Sequence, residues 1–212
     1  GSGWAAQKHV AALRDQPDVT IVGVASRNAE HAGSLARRAG AHAWTDHRRM
    51  LDAGGIDAVI TCLPPSARGE PELAVIDRGL HLLVEKPIAS TLAEGDALIA
   101  AAQAHDRVLA VGHVEFHNPA VQALLDAGSG PRFVEIERLG TFSPRSLDVD
   151  VILDLMIHDL QILQAMDSSP VVEVRAVGIP VLSERIDIAN ARIAFASGLV
   201  ANVTASRVSG ER

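Results

Sequence analysis

Apolar and polar positions alternate by segment along the first half of the chain. Runs at 19–25, 41–44, 56–63, 81–85 and 108–113 are apolar at most positions rather than at every second one. That pattern marks strands covered on both faces, as in a parallel sheet. Amphipathic stretches at 29–39, 46–53, 91–105 and between Pro65 and about residue 78 separate them and predict helices. Thr91 and Glu94 have the spacing of a capping box at the start of one of these. Strand and helix alternating at this interval imply a parallel sheet with right-handed crossovers.

Beyond Gly112 the rhythm changes. Asn118-Pro119 opens a short helix to about residue 127, and 128–131 reads as a turn. Runs at 133–142, 171–179, 186–195 and 199–207 predict strands, the last two joined across Ala196-Ser197-Gly198, which calls for antiparallel pairing. Between the first and second of these strands, 151–163 predicts a helix that is apolar nearly all round and so mostly buried. The expected fold class is α/β: an N-terminal Rossmann parallel sheet over 1–115, then an α+β domain with an open, mainly antiparallel sheet over 116–212.

Composition narrows the partners. The 212 residues are 48% hydrophobic and 21% charged, with a net charge of −7 and no basic cluster, which argues against nucleic acid or an anionic membrane surface. No apolar run has the length of a bilayer span, and no signal peptide is visible. The lone Cys62 excludes an internal disulfide and suits a reducing cytoplasm.

Three constellations carry chemistry. Gly1-Ser2-Gly3-Trp4-Ala5-Ala6 reads G-x-G-x-x-A ahead of an amphipathic run, the spacing that brings backbone and a helix N-terminus to a pyrophosphate. The strand that normally precedes such glycines is absent, so a fragment lacking it is expected. The 19–25 run ends at Ser26-Arg27, where an acid would read the ribose 2′-hydroxyl; serine and arginine there suit a 2′-phosphate, so NADP is favoured over NAD. Glu85-Lys86-Pro87 places one of only two lysines at a strand's carboxyl end, where open α/β sheets hold ligands and where an amine can polarise a carbonyl or handle a proton. Asp150, Asp154, His158 and Gln161 fall at steps of four, four and three, one polar stripe on a helix otherwise apolar. Unpartnered burial of such groups is costly, so the stripe is expected to line a cleft.

Together, the opening Gly-x-Gly, Glu85-Lys86-Pro87, Gly112-His113, Asn118-Pro119-Ala120 and Asp154-x-x-x-His158-Asp159 resemble the glucose–fructose oxidoreductase and inositol dehydrogenase (Gfo/Idh/MocA) family over essentially the whole chain. The run from Arg145 and Ser146 through Asp150 into Leu153 and His158 is similar to that family's UDP-N-acetylglucosamine 3-dehydrogenase branch. The resemblance implies an NAD(P)-dependent enzyme that moves a hydride between nicotinamide and a secondary alcohol of a sugar, sugar nucleotide or cyclitol. It implies catalysis by Lys86, Asp154 and His158. It implies cofactor contacts from Gly1, Gly3, Trp4, Ala5, Ser26, Arg27, Leu63, Pro64, Glu85, Lys86 and His113. Substrate contacts would come from Lys86, His113, His117, Asn118, Asp154 and His158. No resident metal is implied, and association into a homo-oligomer through the C-terminal sheet is. Where relatives often read Glu-Arg-Phe-Asn-Pro this chain has Glu115-Phe116-His117-Asn118-Pro119, which removes an arginine contact, and its C-terminal part is shorter than usual.

Two other readings remain open at this point. His113, His117, Asp154 and His158 form two pairs at i,i+4 spacing that suit a metal-dependent enzyme, although Asn118-Pro119 works against a helix through the first pair. A non-catalytic dinucleotide-binding module is the other.

Overall fold

The computed structural model describes residues 1–128, 130–143 and 147–210. Ser129 of the expected turn, and Arg145 and Ser146 of the branch-like run, lie outside the described residues. The chain forms two compact units, Gly1–Gly112 and His113–Arg212.

The first unit is the expected alternation of parallel strands and helices. Strands β3 (Ala58–Thr61), β4 (His81–Glu85) and β5 (Leu109–Gly112) pair in parallel with β4 in the middle, and β1 (Gly23–Ala25) pairs in parallel with β2 (His42–Trp44). Helices α1 (Trp4–Leu13), α2 (Ala29–Ala39), α3 (His47–Asp52), α4 (Glu70–Ile76) and α5 (Leu92–Ala104) alternate with them. Sequence-local caps set several boundaries: Asn28, Asp46 and Thr91 accept from the amides of His31, Arg48 and Glu94. In the β4 layer Leu82 and Val84 share one face and, with Ile76 and Leu98, are buried to within 2% of full enclosure, while Leu83 on the other face is half-buried.

The strands are shorter than the apolar runs. Residues 19–22 extend β1 without a ladder of their own, because β2 flanks that strand on one side only. On the other side a cleft of about 800 Å³ separates β1 from β3. Residues 18–25 and 55–63 line it without interruption. Successive strand residues point to opposite faces, so walls built from every residue are strand edges.

In the second unit, β6 (Phe133–Leu139), β7 (Val171–Ile179), β8 (Ile188–Phe195) and β9 (Val200–Ser206) make one sheet of order β6-β9-β8-β7. β7–β8 and β8–β9 are antiparallel, while β6 joins the edge parallel to β9. One face is the core: Ala189, Ala191, Ile193 and Phe195 of β8 and Ala201, Val203 and Ala205 of β9 pack on Val151, Met156 and Leu163. Four alanines there keep the sheet surface low, so the helical segment can approach closely. The opposite face is polar, with Asn190 donating to Thr204 Oγ1 and Arg192 donating to Asn202 Oδ1. Strand β7 is exposed along its whole length. A short helix α6 (Pro119–Asp126) precedes the sheet.

The expected helix over 151–163 is not a regular α-helix. Ile152–Met156 is a π-turn, closed by Ile157 N–H donating to Ile152 O, and it runs straight into α7 (Ile157–Met166). A π-turn shifts every later side chain relative to α-helical spacing. The polar stripe is therefore broken: Asp150 is a cap, its Oδ1 accepting from Leu153 N–H at 3.0 Å, rather than a lining group.

A buried ion pair ties this segment to the sheet. Asp187, fully enclosed, accepts from the amides of Val181, Leu182 and Ser183, from Ser183 Oγ at 2.6 Å and from Arg207 Nε at 2.8 Å. Arg207, 4% exposed, also donates to Val149 O at 3.0 Å, and Val151 N–H donates to Ile186 O at 2.9 Å. Burial alone pushes the Asp187 carboxyl up, but the bonds from Ser183, Arg207 and the amides together outweigh it and hold the pKa far below the usual carboxylate range. With the folded pKa below the unfolded one, this stabilisation is complete above about pH 4 and fades as pH falls towards the folded value. Arg207→Met leaves the carboxylate buried without its cation and should cost about 3–5 kcal/mol. Urea unfolding monitored through the β8–β9 amides should show that loss at pH 7 and a smaller difference from the parent at pH 2.

Candidate active site

In the first unit the candidate residues gather at the carboxyl ends of the strands. Lys86 follows the last residue of β4, its carbonyl joined to Pro87 through a cis peptide. Glu85 closes the strand, and Lys86 begins the bend that follows it. The Glu85 carboxylate accepts a hydrogen bond from His9 Nε2 of α1 at 2.7 Å. Its carboxylate lies over Gly112, where an added Cβ would stand 3.0 Å from Glu85 Oε2. The hydrogen bond with His9 is the main cause holding the Glu85 pKa below its ordinary value; burial opposes it, and the charges of Arg68 and Lys86 add to it.

Cys62 Sγ completes a group with His9 and Glu85 in which all three donor atoms lie within 4.8 Å of one another. Burial, and then the neighbouring Glu85 charge, push the Cys62 thiol up to about 11. A thiol protonated at neutral pH is a poor metal ligand, and the His9 Nε2 is already engaged in its hydrogen bond with Glu85. Among the described residues this is the only such group of three, so His113, His117, Asp154 and His158 are not brought together as metal ligands and the metal-dependent reading is not supported.

The glycine-rich opening leads directly into α1. Gly1 N donates to Ala25 O at 2.9 Å, and Ser2 Oγ donates to Ser26 Oγ at 2.8 Å, which ties the opening to the end of β1. An added Cβ at Gly1 would lie 2.0 Å from the Cys62 carbonyl oxygen, so only glycine fits. At Gly3 a Cβ would meet nothing within 4 Å. No side chain caps α1, and no acid stands in its first turn. Open space before an uncapped helix N-terminus fits a dinucleotide's pyrophosphate. Trp4 is 64% exposed beside Lys8, Ala5 is half-buried, and Arg27 is exposed next to Ser26.

Arg68, which sequence reasoning passed over, occupies the strand ends. It donates through Nε and Nη2 to Leu63 O, through Nη1 to Glu85 O and Pro87 O, and through Nη2 to Lys86 O. Leu63 is half-buried there and Pro64 exposed. No periodicity marks Arg68; the only available signal is a lone cation in a Pro-rich strand–helix connection.

In the second unit His158 is 9% exposed and Asp154 half-buried, with Asp154 N–H donating to Asp150 O at 3.0 Å. Asp159, 1% exposed, takes a bidentate ion pair from Arg138 of β6 at 2.7–3.1 Å, which fixes the residue after His158 to the sheet. His113 is half-buried, and His117 is exposed with its ring edge against Phe116. Asn118 Oδ1 accepts from Ala120 N–H as the cap of α6, so that oxygen is already engaged.

Comparison with known proteins fits this picture. The chain is 41% identical over 189 residues to the UDP-N-acetylglucosamine 3-dehydrogenase of Acidithiobacillus ferrooxidans, a match that takes in 89% of this chain and 60% of that protein. It is 34% identical over 110 residues to the scyllo-inositol 2-dehydrogenase (NADP(+)) IolU of Bacillus subtilis, covering 51% of this chain and 34% of that one. The solved structure of the Acidithiobacillus ferrooxidans enzyme, GnnA, superposes with a TM-score of 0.91 at 38% identity, over 100% of this chain and 69% of that one. Residues 1–113, more than half of the sequence, match the GFO_IDH_MocA model, described as an oxidoreductase family with an NAD-binding Rossmann fold, and the chain belongs to that family.

Proposed function

We propose that this chain supplies the dinucleotide-binding and catalytic parts of an NAD(P)-dependent dehydrogenase acting on a secondary alcohol of a sugar nucleotide. The observation that carries the reading is Lys86 at the carboxyl end of β4, within the unit whose residues 1–113 match the oxidoreductase family. The likeness to UDP-N-acetylglucosamine 3-dehydrogenase supports a UDP-hexosamine as substrate, with a cyclitol as the second candidate.

In this reading 1–115 binds the cofactor and 116–212 the substrate. Gly1, Gly3, Trp4 and Ala5 meet the pyrophosphate at α1, Ser26 and Arg27 the adenosine ribose, and Leu63, Pro64, Glu85, Lys86 and His113 the nicotinamide half. A nicotinamide held there would supply the acceptor for the hydride that leaves the alcohol carbon. The chain's own groups handle the oxygen. Lys86 donates a hydrogen bond to it and stabilises the negative charge it develops. His158 takes the hydroxyl proton, and Asp154 holds the imidazole in the orientation needed. His113, His117 and Asn118 position the sugar. The products are the ketone, the reduced cofactor and one proton. A reducing cytoplasm suits the Cys62 thiol. Among the described residues no helix is long and apolar enough to cross a membrane.

Strand β7 supports self-association through the C-terminal sheet: Val172, Val174, Val177 and Ile179 are each more than half exposed in one edge strand.

The test is reduction of NAD⁺ and NADP⁺, followed by nicotinamide absorbance, across UDP-sugars and inositols. Turnover of a UDP-hexosamine is expected; tight dinucleotide binding with no turnover across the panel sinks the reading. Lys86→Met should lower kcat by about 10²–10³-fold while the dissociation constant of NADP⁺ stays within about threefold of the parent. Arg27→Asp, which puts an acid at the ribose-reading position, should move preference from NADP⁺ towards NAD⁺ by about tenfold or more in kcat/KM.

A further inference from the structure

β3 and β4 pair from Ala58↔His81 to Thr61↔Val84. Continued by two residues, that ladder would set Leu63 opposite Lys86. Instead the carbonyls of Leu63, Glu85, Lys86 and Pro87 turn towards one half-buried point, where the guanidinium of Arg68 meets all four. Four carbonyl dipoles aimed at one place repel unless a donor-rich cation stands between them. Guanidinium suits this task because its five N–H groups lie in one rigid plane and its charge is permanent. A lysine ammonium at the same position could not span carbonyls on two strands. Arg68 is itself firmly placed, between a 3₁₀ turn at Pro65–Ala67 and Gly69, whose φ of 98° begins α4 in a conformation that favours glycine.

We propose that Arg68 is the positioning residue of the strand-end turn: it replaces the missing ladder between the Leu63-Pro64 loop and Glu85-Lys86-Pro87, and so fixes the direction in which Lys86 projects. The role of Lys86 rests on the proposed function; the clamp itself rests only on the backbone contacts. Its functional consequence is selective. Misdirecting a donor by about 1 Å costs up to about 10²-fold in the chemical step, so Arg68 should weigh on kcat more than on substrate KM.

The experiment compares Arg68→Ala and Arg68→Lys with Lys86→Met in the full chain, by steady-state kinetics and by amide exchange. Arg68→Ala should lower kcat by roughly 10- to 100-fold with substrate KM changed less than about threefold. Exchange should speed up at the amides of Cys62, Leu63, Glu85, Lys86 and Ile88 but not in β8 and β9. Added guanidinium should restore part of kcat and of the protection, which loss of folding would not allow. Arg68→Lys should behave like Arg68→Ala, because charge alone is not enough. Full kcat in Arg68→Ala, or a loss that guanidinium does not relieve and that spreads exchange over the whole first unit, overturns the proposal. If Lys86→Met keeps full turnover while the exchange and rescue results hold, the clamp stands and the catalytic reading of Lys86 is what fails.

Discussion

A strand that ends inside a protein leaves carbonyls that no ladder partner reaches and that water reaches poorly. Leaving such groups unsatisfied costs about 1–3 kcal/mol each, and both units meet that constraint with arginine. Arg68 gathers the carbonyls beyond β3 and β4. Arg207 holds Val149 O at the entrance to the π-turn while neutralising Asp187. Arg138 reaches from β6 to Asp159. In a chain with only two lysines among its 19 basic residues, this division is physically apt. The planar, always-charged group can be enclosed and can bond several acceptors at once, whereas an ammonium is a compact, strongly hydrated charge.

Glu85 illustrates how the same strand end serves two masters. As the last residue of β4 it turns against α1, where it hydrogen-bonds His9 over the bare backbone of Gly112. Neighbours in sequence thereby have separate environments: one carboxylate engaged beneath the sheet end, one amine carried on the turn beyond it. The adjacent Cys62 feels that carboxylate and stays protonated. The acid is thus part of the scaffold under the turn as much as of any cofactor contact.

The parallel unit was legible because its signal is local. Continuous apolar runs, caps at Asn28, Asp46 and Thr91, and prolines after strands are properties of a few adjacent residues, and they place β1 to β5 and α1 to α5 within a few positions. Strand lengths were less legible, since whether residues 19–22 join a ladder depends on a neighbour on the far side rather than on their own side chains. The parallel pairing of β6 with β9 joins residues more than sixty apart and carries no local mark. At the candidate site, Lys86 and His158 were readable as candidates from residue type and motif. The clamp by Arg68 and the pair between Arg138 and Asp159 were not, because each depends on a contact that spacing along the chain does not announce. Asp150 had the right spacing for a lining group and became a cap, because a π-turn follows it.

That π-turn has a consequence for how this segment can vary. Each residue advances an α-helix by about 100°, and a π-turn amounts to one residue more than the regular helix would hold. Removing one residue from Ile152–Met156 would let the segment rewind as a regular α-helix with everything downstream in its present phase: Asp159 would stay on Arg138, and Leu163 on the alanine-lined sheet surface. Within the regular helix Ile157–Met166 there is no such slack, and a single-codon deletion there alters the phase of every residue after it. The π-turn is thus the place in this segment where a change of length by one residue can be taken up locally.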